Sequence, residues 1–161
     1  MHSRIIFSIA ISLLIAVSSI PVMQPQAKAA DSDYKCKPTR PDMEGPFYEP
    51  GAPVRSSVGK GYMLQGKVLS AGDCRPISGA RIELWQTGPD GNYDDDHRAT
   101  VFSKETGAYS FESNMPRGYS GRPPHIHMRI SAEGFERLTT QHYPQKGYTS
   151  GTFDLVLIPR K

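Results

Sequence analysis

The chain has 161 residues, with 19 Lys and Arg against 16 Asp and Glu, a formal net charge of +3. That balance implies no nucleic-acid partner. Residues 1–29 read as an export signal peptide: Arg4, an unbroken apolar run from Ile5 to about Ile20, and the small-x-small cleavage pattern Ala27-Lys28-Ala29. An apolar run of about 16 residues is shorter than the roughly 20 that span a bilayer. No second arginine flanks Arg4 and no cysteine lies near the cleavage site, which points to export as an unfolded chain without a lipid anchor.

Removing 1–29 takes away Arg4 and Lys28 and no acid, so 19 cations and 16 anions become 17 and 16, and 161 minus 29 leaves 132 residues. This length suits one hydrophobic core, so residues 30–161 are expected to form a single secreted or periplasmic domain, with no membrane association after cleavage. Cys36 and Cys74 are its two thiols. In an oxidising compartment such an even pair is expected to be bridged, the alternative being two buried free thiols.

In chain order, Asp31 to about Lys60 is rich in Pro, Gly and Ser and reads as an irregular N-terminal arm laid over a later core. Seven short runs follow, Tyr62–Leu69, Ala80–Gln86, Arg98–Ser103, Ala108–Glu112, Pro124–Ser131, Phe135–Tyr143 and Thr152–Ile158. They are parted by turn signals such as Pro89-Asp90-Gly91 and Thr106-Gly107, and predict an all-β, antiparallel sandwich of about seven strands.

The densest chemical signal is Arg122-Pro123-Pro124-His125-Ile126-His127-Met128-Arg129-Ile130. On a strand, Ile126, Met128 and Ile130 face the core while His125, His127 and Arg129 project from the other face, within reach of one metal. Alone, a His-x-His pair more often means ordinary half-buried histidines. Further ligands could come from Asp94, Asp95, Asp96, His97, His142 or the tyrosines. Carboxylates with two histidines suit Fe(II) or Zn(II), whereas phenolates suit a hard trivalent ion. Residue chemistry leaves the choice between phenolates and carboxylates open, and the acidic run reads by default as a solvated loop.

Several ordered motifs resemble the intradiol ring-cleavage dioxygenases, the family of protocatechuate 3,4-dioxygenase and catechol 1,2-dioxygenase, and its short exported members in particular. Glu44-Gly45-Pro46-Phe47-Tyr48 resembles the family's entry segment, and Cys74 to Ala80 with Ile82-Glu83-Leu84-Trp85-Gln86 the strand before its first tyrosine ligand. Gly91-Asn92-Tyr93 is similar to the turn bearing that ligand, and Thr106 to Phe111 to the next hairpin. Pro116-Arg117-Gly118-Tyr119, Arg122 to His127 and Thr140-Gln141-His142-Tyr143 are similar to the second tyrosine, the active-site arginine with both histidines, and the segment after them. Arg117 stands where the family commonly has glycine, and the Tyr119 to His125 link is shorter than in the large enzymes.

The resemblance implies Fe(3+) held by Tyr93, Tyr119, His125 and His127, a catechol-type diol and O2 as substrates, and Tyr119 accepting a substrate proton. It further implies that Arg122 stabilises negative charge on the activated ring. Gln141 would orient Arg122 or substrate, or simply pack at the core edge, and Pro46 and Tyr48 would line the mouth. A homo-oligomer or a partner subunit completing the pocket is among the arrangements the family allows. Two rival readings are a non-enzymatic transthyretin-like or carbohydrate-binding sandwich module, and a Zn or Cu protein using the Asp94–His97 loop with His125 and His127.

Overall fold

The structure is a computed structural model and describes residues 34–161, so the signal peptide expected over 1–29 lies outside the described residues. Alternation of apolar and polar side chains generates the strands directly, because successive residues of an extended chain face opposite ways. In β1 (Tyr62–Ser70), Tyr62, Leu64 and Val68 are buried while Met63, Gln65 and Lys67 face outward. The others are β2 (Arg81–Gln86), β3 (Arg98–Phe102), β4 (Ala108–Ser113), β5 (Ile126–Ser131), β6 (Leu138–His142), β7 (Ser150–Thr152) and β8 (Leu155–Leu157). One sheet is ordered β3-β2-β5-β6; in the other, β1 lies between β4 on one side and β7 and β8 on the other. Between them pack Leu64, Val68 and Phe111 from one sheet and Ile82, Leu84, Ile126, Met128 and Ile130 from the other. Truncating one such residue, Leu84→Ala for instance, costs about 2–5 kcal/mol.

The expected antiparallel sandwich of about seven strands needs one correction. The run expected as a single strand over Thr152–Ile158 is two short strands, and both pair parallel to β1. The break occurs at Gly66, whose missing side chain makes room for the Phe153 carbonyl. That carbonyl is capped by the Tyr109 hydroxyl (2.6 Å), while the Asp154 carboxylate takes the Lys67 N–H (2.9 Å). The ladder is thus interrupted without leaving these groups unpaired.

The β3-β2-β5-β6 sheet is buried on both faces, because the arm crosses its outer side. The crossing starts at the β6 edge, where Asp42 N donates to Thr139 O (2.9 Å). It ends at the β3 edge, where Thr100 N donates to Pro53 O (2.8 Å) and Arg55 N to Thr100 O (3.2 Å). Beneath it, register aligns Arg98, Trp85, His127 and Gln141 in one row across four strands.

Near its start the arm is tied by a Cys36–Cys74 disulfide with Cα atoms 5.4 Å apart and a sequence separation of 38. A loop of that length contributes about 4 kcal/mol by chain entropy. Reduction is expected to lower the unfolding free energy by a few kcal/mol, checked by denaturant titration with and without reductant. Both thiols free by peptide mapping of the natively produced protein would contradict the bridge.

Candidate metal centre

Three heteroatoms converge above the row just described. Tyr93 Oη lies 3.2 Å from His125 Nε2 and 3.1 Å from His127 Nε2, and the two nitrogens are 3.1 Å apart. Strand alternation accounts for the histidines: Ile126, Met128 and Ile130 are buried in the core, and both imidazoles project beneath the arm. Tyr93 arrives from a closed turn after β2, in which Gly88 N donates to Asn92 O (2.8 Å) and Asp90 accepts from Asn92 N (2.9 Å). Phe47 of the arm stacks on its ring, 4.3 Å between centroids.

Tyr119 stands beside this triangle, 5.6 Å from Tyr93 and 5.8 Å from His125 between ring centroids. Its loop is anchored by Thr87, whose hydroxyl donates to Arg117 O (2.8 Å) and accepts from Arg117 N (2.8 Å). The turn from Tyr119 to Arg122 has φ of 47° at Ser120 and 77° at Gly121. It closes through Arg122 N to Tyr119 O (2.8 Å). Gly118 cannot carry a side chain, because a Cβ there would collide with the Arg122 carbonyl.

Arg122 turns toward β6. Its Nη2 donates to Gln141 Oε1 (2.6 Å) and to the Tyr143 hydroxyl (3.2 Å), which donates onward to Asp42 Oδ2 (2.9 Å). Gln141 Nε2 in turn donates to Met43 O (2.5 Å). Gln141 therefore orients Arg122 and joins it to the arm. Burial alone would lower the Arg122 pKa, but hydrogen bonds with Tyr119 and Tyr143 outweigh it, so the guanidinium stays charged.

The chemistry of the donors suits a cation. His125 Nδ1–H donates to Pro123 O (2.8 Å), which leaves the Nε2 lone pair facing the triangle. The Tyr93 oxygen and the two Nε2 atoms, each 3.1 to 3.2 Å from the others, are a donor set that one cation can engage together. Burial, then the neighbouring Tyr119, raises the Tyr93 phenol far above its usual range. His127 is pushed down to about 4, chiefly by burial and then by the charges of His125 and Arg122. Burial also lowers His125 and His142.

The His127 shift has a consequence for the metal-free protein. An unfolded histidine titrates near 6.5, so between about pH 6.5 and 4 the unfolded chain binds the extra proton and the fold does not. Stability is fully present above about pH 6.5 and is lost as pH falls toward 4, by roughly 3 kcal/mol from His127. Denaturant titrations of the metal-free protein at pH 7.5 and 4.5 should show this loss, with His127→Gln flattening it.

Other sequence candidates lie elsewhere. Asp94 caps a short 3-10 turn (Asp95–His97) by accepting from His97 N (3.0 Å), and pairs with the His97 ring (2.7 Å). His142 pairs with the Tyr62 hydroxyl (2.7 Å). Among the described residues no group of three or more His, Cys, Asp or Glu is placed to hold a metal, so the acidic-loop reading has no geometric support. Tyr48, expected at the mouth, instead packs on Trp85 (5.2 Å) and donates to Glu83 (3.3 Å), while Pro46 is exposed. Phe47 takes the place over Tyr93. Phe47, Asp42 and Tyr143 escaped the sequence reading as site residues; for Phe47 the signal was its position beside Tyr48 in the same motif.

No family model matches the chain. It is 30% identical over 152 residues to a chlorocatechol 1,2-dioxygenase of a Pseudomonas species, covering 71% of this chain and 60% of that protein. It is 31% identical over 134 residues to catechol 1,2-dioxygenase 2 of Acinetobacter lwoffii, covering 62% and 48% respectively. The chain therefore spans three fifths or less of these relatives' own length. Among solved structures, the dioxygenase domain of a dioxygenase carbohydrate-binding protein fusion from a cellulolytic Streptomyces superposes with a TM-score of 0.70. That match is 29% identical and covers 77% of this chain and 100% of that one.

Proposed function

As the chain belongs to the intradiol ring-cleavage dioxygenase family, we propose that it is a non-haem Fe(III) enzyme cleaving a catechol-type diol between its two hydroxyl-bearing carbons. Both atoms of O2 enter the product, a muconate-type diacid. The observation that carries this reading is the triangle of Tyr93 Oη, His125 Nε2 and His127 Nε2 at 3.1 to 3.2 Å. Tyr93, His125, His127 and Tyr119 would hold the iron, and phenolate oxygens favour the ferric ion. When bound, ferric iron supplies a centre that activates the diol rather than dioxygen.

The protein's own groups do the rest. The Tyr119 oxygen receives a proton from a substrate hydroxyl. Arg122, fixed by Gln141 and Tyr143, presents a permanent positive charge to negative density developing on the ring. Phe47 and the arm limit access of water to Tyr93. The leader-like residues 1–29 and the Cys36–Cys74 bridge support action outside the cytoplasm.

The test is product identification. Iron-loaded protein incubated with catechol, protocatechuate and hydroxyquinol should consume O2 and give a diacid, recognised by mass and ultraviolet spectrum. A semialdehyde, or no O2 uptake across the panel by protein with a verified ferric site, would overturn the proposal.

A further inference from the structure

We propose that Trp85 is a positioning residue for His127, fixing the imidazole by ring stacking where the other histidine is fixed by a hydrogen bond, and that Tyr48 and Arg129 hold Trp85 in place. This rests on the reading of His127 as an iron ligand. Metal-binding histidines are ordinarily oriented by a hydrogen bond from the second ring nitrogen. His125 follows that rule through Pro123 O at 2.8 Å. His127 meets it only weakly: the Met43 carbonyl lies on that side and favours its protonated form, but Nδ1 makes no well-formed hydrogen bond and that carbonyl is taken by Gln141 Nε2 at 2.5 Å.

What touches His127 instead is the indole of Trp85, directly opposite it in the β2–β5 register. The two rings are 4.9 Å apart between centroids and 3° from parallel, an offset stack. Trp85 is 2% exposed, and its Nε1 also has no hydrogen-bond partner. Neither ring has a well-formed N–H hydrogen bond, so the stack is the main contact that sets their orientation. The arm also passes close to the ring at Gly45, where a Cβ would come within 3.1 Å of His127 Cε1 and where φ is +72°.

The indole is wedged in turn. Tyr48 meets it edge-on at 5.2 Å, and the Arg129 guanidinium lies 4.2 Å over the Tyr48 ring. Arg129 pairs with Glu44 (3.6 Å), and the Tyr48 hydroxyl donates to Glu83 (3.3 Å). This ladder gives Tyr48 a task behind the ligand rather than at the mouth.

The experiment titrates iron into the metal-free protein against a competing chelator, reading the phenolate absorption band. Trp85→Leu should weaken iron binding about 10–100-fold and shift the band, as loss of a ligand-orienting group does. Trp85→Phe, which keeps an aromatic face, should recover affinity to within about threefold. Leu84→Ala, on the core side of the same strand, destabilises the fold and should leave iron affinity unchanged. If Trp85→Leu does not fold, Tyr48→Leu keeps the indole and should still weaken binding about 3–10-fold. It should also alter the emission of Trp85, the chain's single tryptophan. Wild-type affinity and band in Trp85→Leu or Tyr48→Leu, or equal weakening by Leu84→Ala, overturns the positioning role alone. A wild-type protein that takes up no iron overturns the metal reading and this inference together.

Discussion

Tyr93→Phe is expected to remove most of the red to brown colour of the iron-loaded protein and to weaken iron binding by at least about 100-fold. The colour would arise from phenolate-to-ferric charge transfer, and Tyr93 is the phenol whose oxygen meets both imidazole nitrogens. Burial and Tyr119 keep that phenol protonated in the metal-free protein. Only a cation in direct contact would ionise it, so iron uptake should release a proton that the variant does not release. Visible spectra, iron content and proton release give three independent readings. Asp95→Asn and Asp96→Asn, in the exposed turn, should change none of them. A fully coloured Tyr93→Phe protein would rule out this ligand assignment.

Arg122→Leu is expected to act on rate rather than on the metal. Its guanidinium is held by Gln141 at 2.6 Å and by Tyr143 at 3.2 Å, with Asp42 behind Tyr143 at 2.9 Å. A charge held in advance needs no rearrangement when the substrate becomes electron-rich, and its removal should lower kcat by about 100- to 1000-fold. Iron content and colour should stay near those of the wild type. Tyr143→Phe should give a smaller loss in the same direction, because Gln141 still anchors Arg122. Steady-state kinetics on iron-quantified protein would check this; loss of iron in Arg122→Leu in proportion to the lost rate would instead make Arg122 a structural support of the metal site.

What the sequence determined by itself is local and periodic. Alternation over His125 to Ile130 put both histidines on the face opposite the core, since the steric period of an extended chain is two whatever surrounds it. Glycines between apolar runs marked the turns that carry Tyr93 and Tyr119, and most strand positions followed from the same pattern. Tertiary structure decided what rests on contacts between residues far apart in the chain. Asp42 and Met43 lie about 100 positions from Tyr143 and Gln141, with separations of 101 and 98, and no local pattern announces such pairs. The choice of Phe47 over Tyr48 to cover Tyr93 depends on how the arm turns above the sheet, because Phe47 sits in a turn with Pro46, and Tyr48 comes just after it. The last strand divides because Gly66, on another strand, admits the Phe153 carbonyl. The stacking of Trp85 on His127 likewise needs the register that sets those two residues side by side.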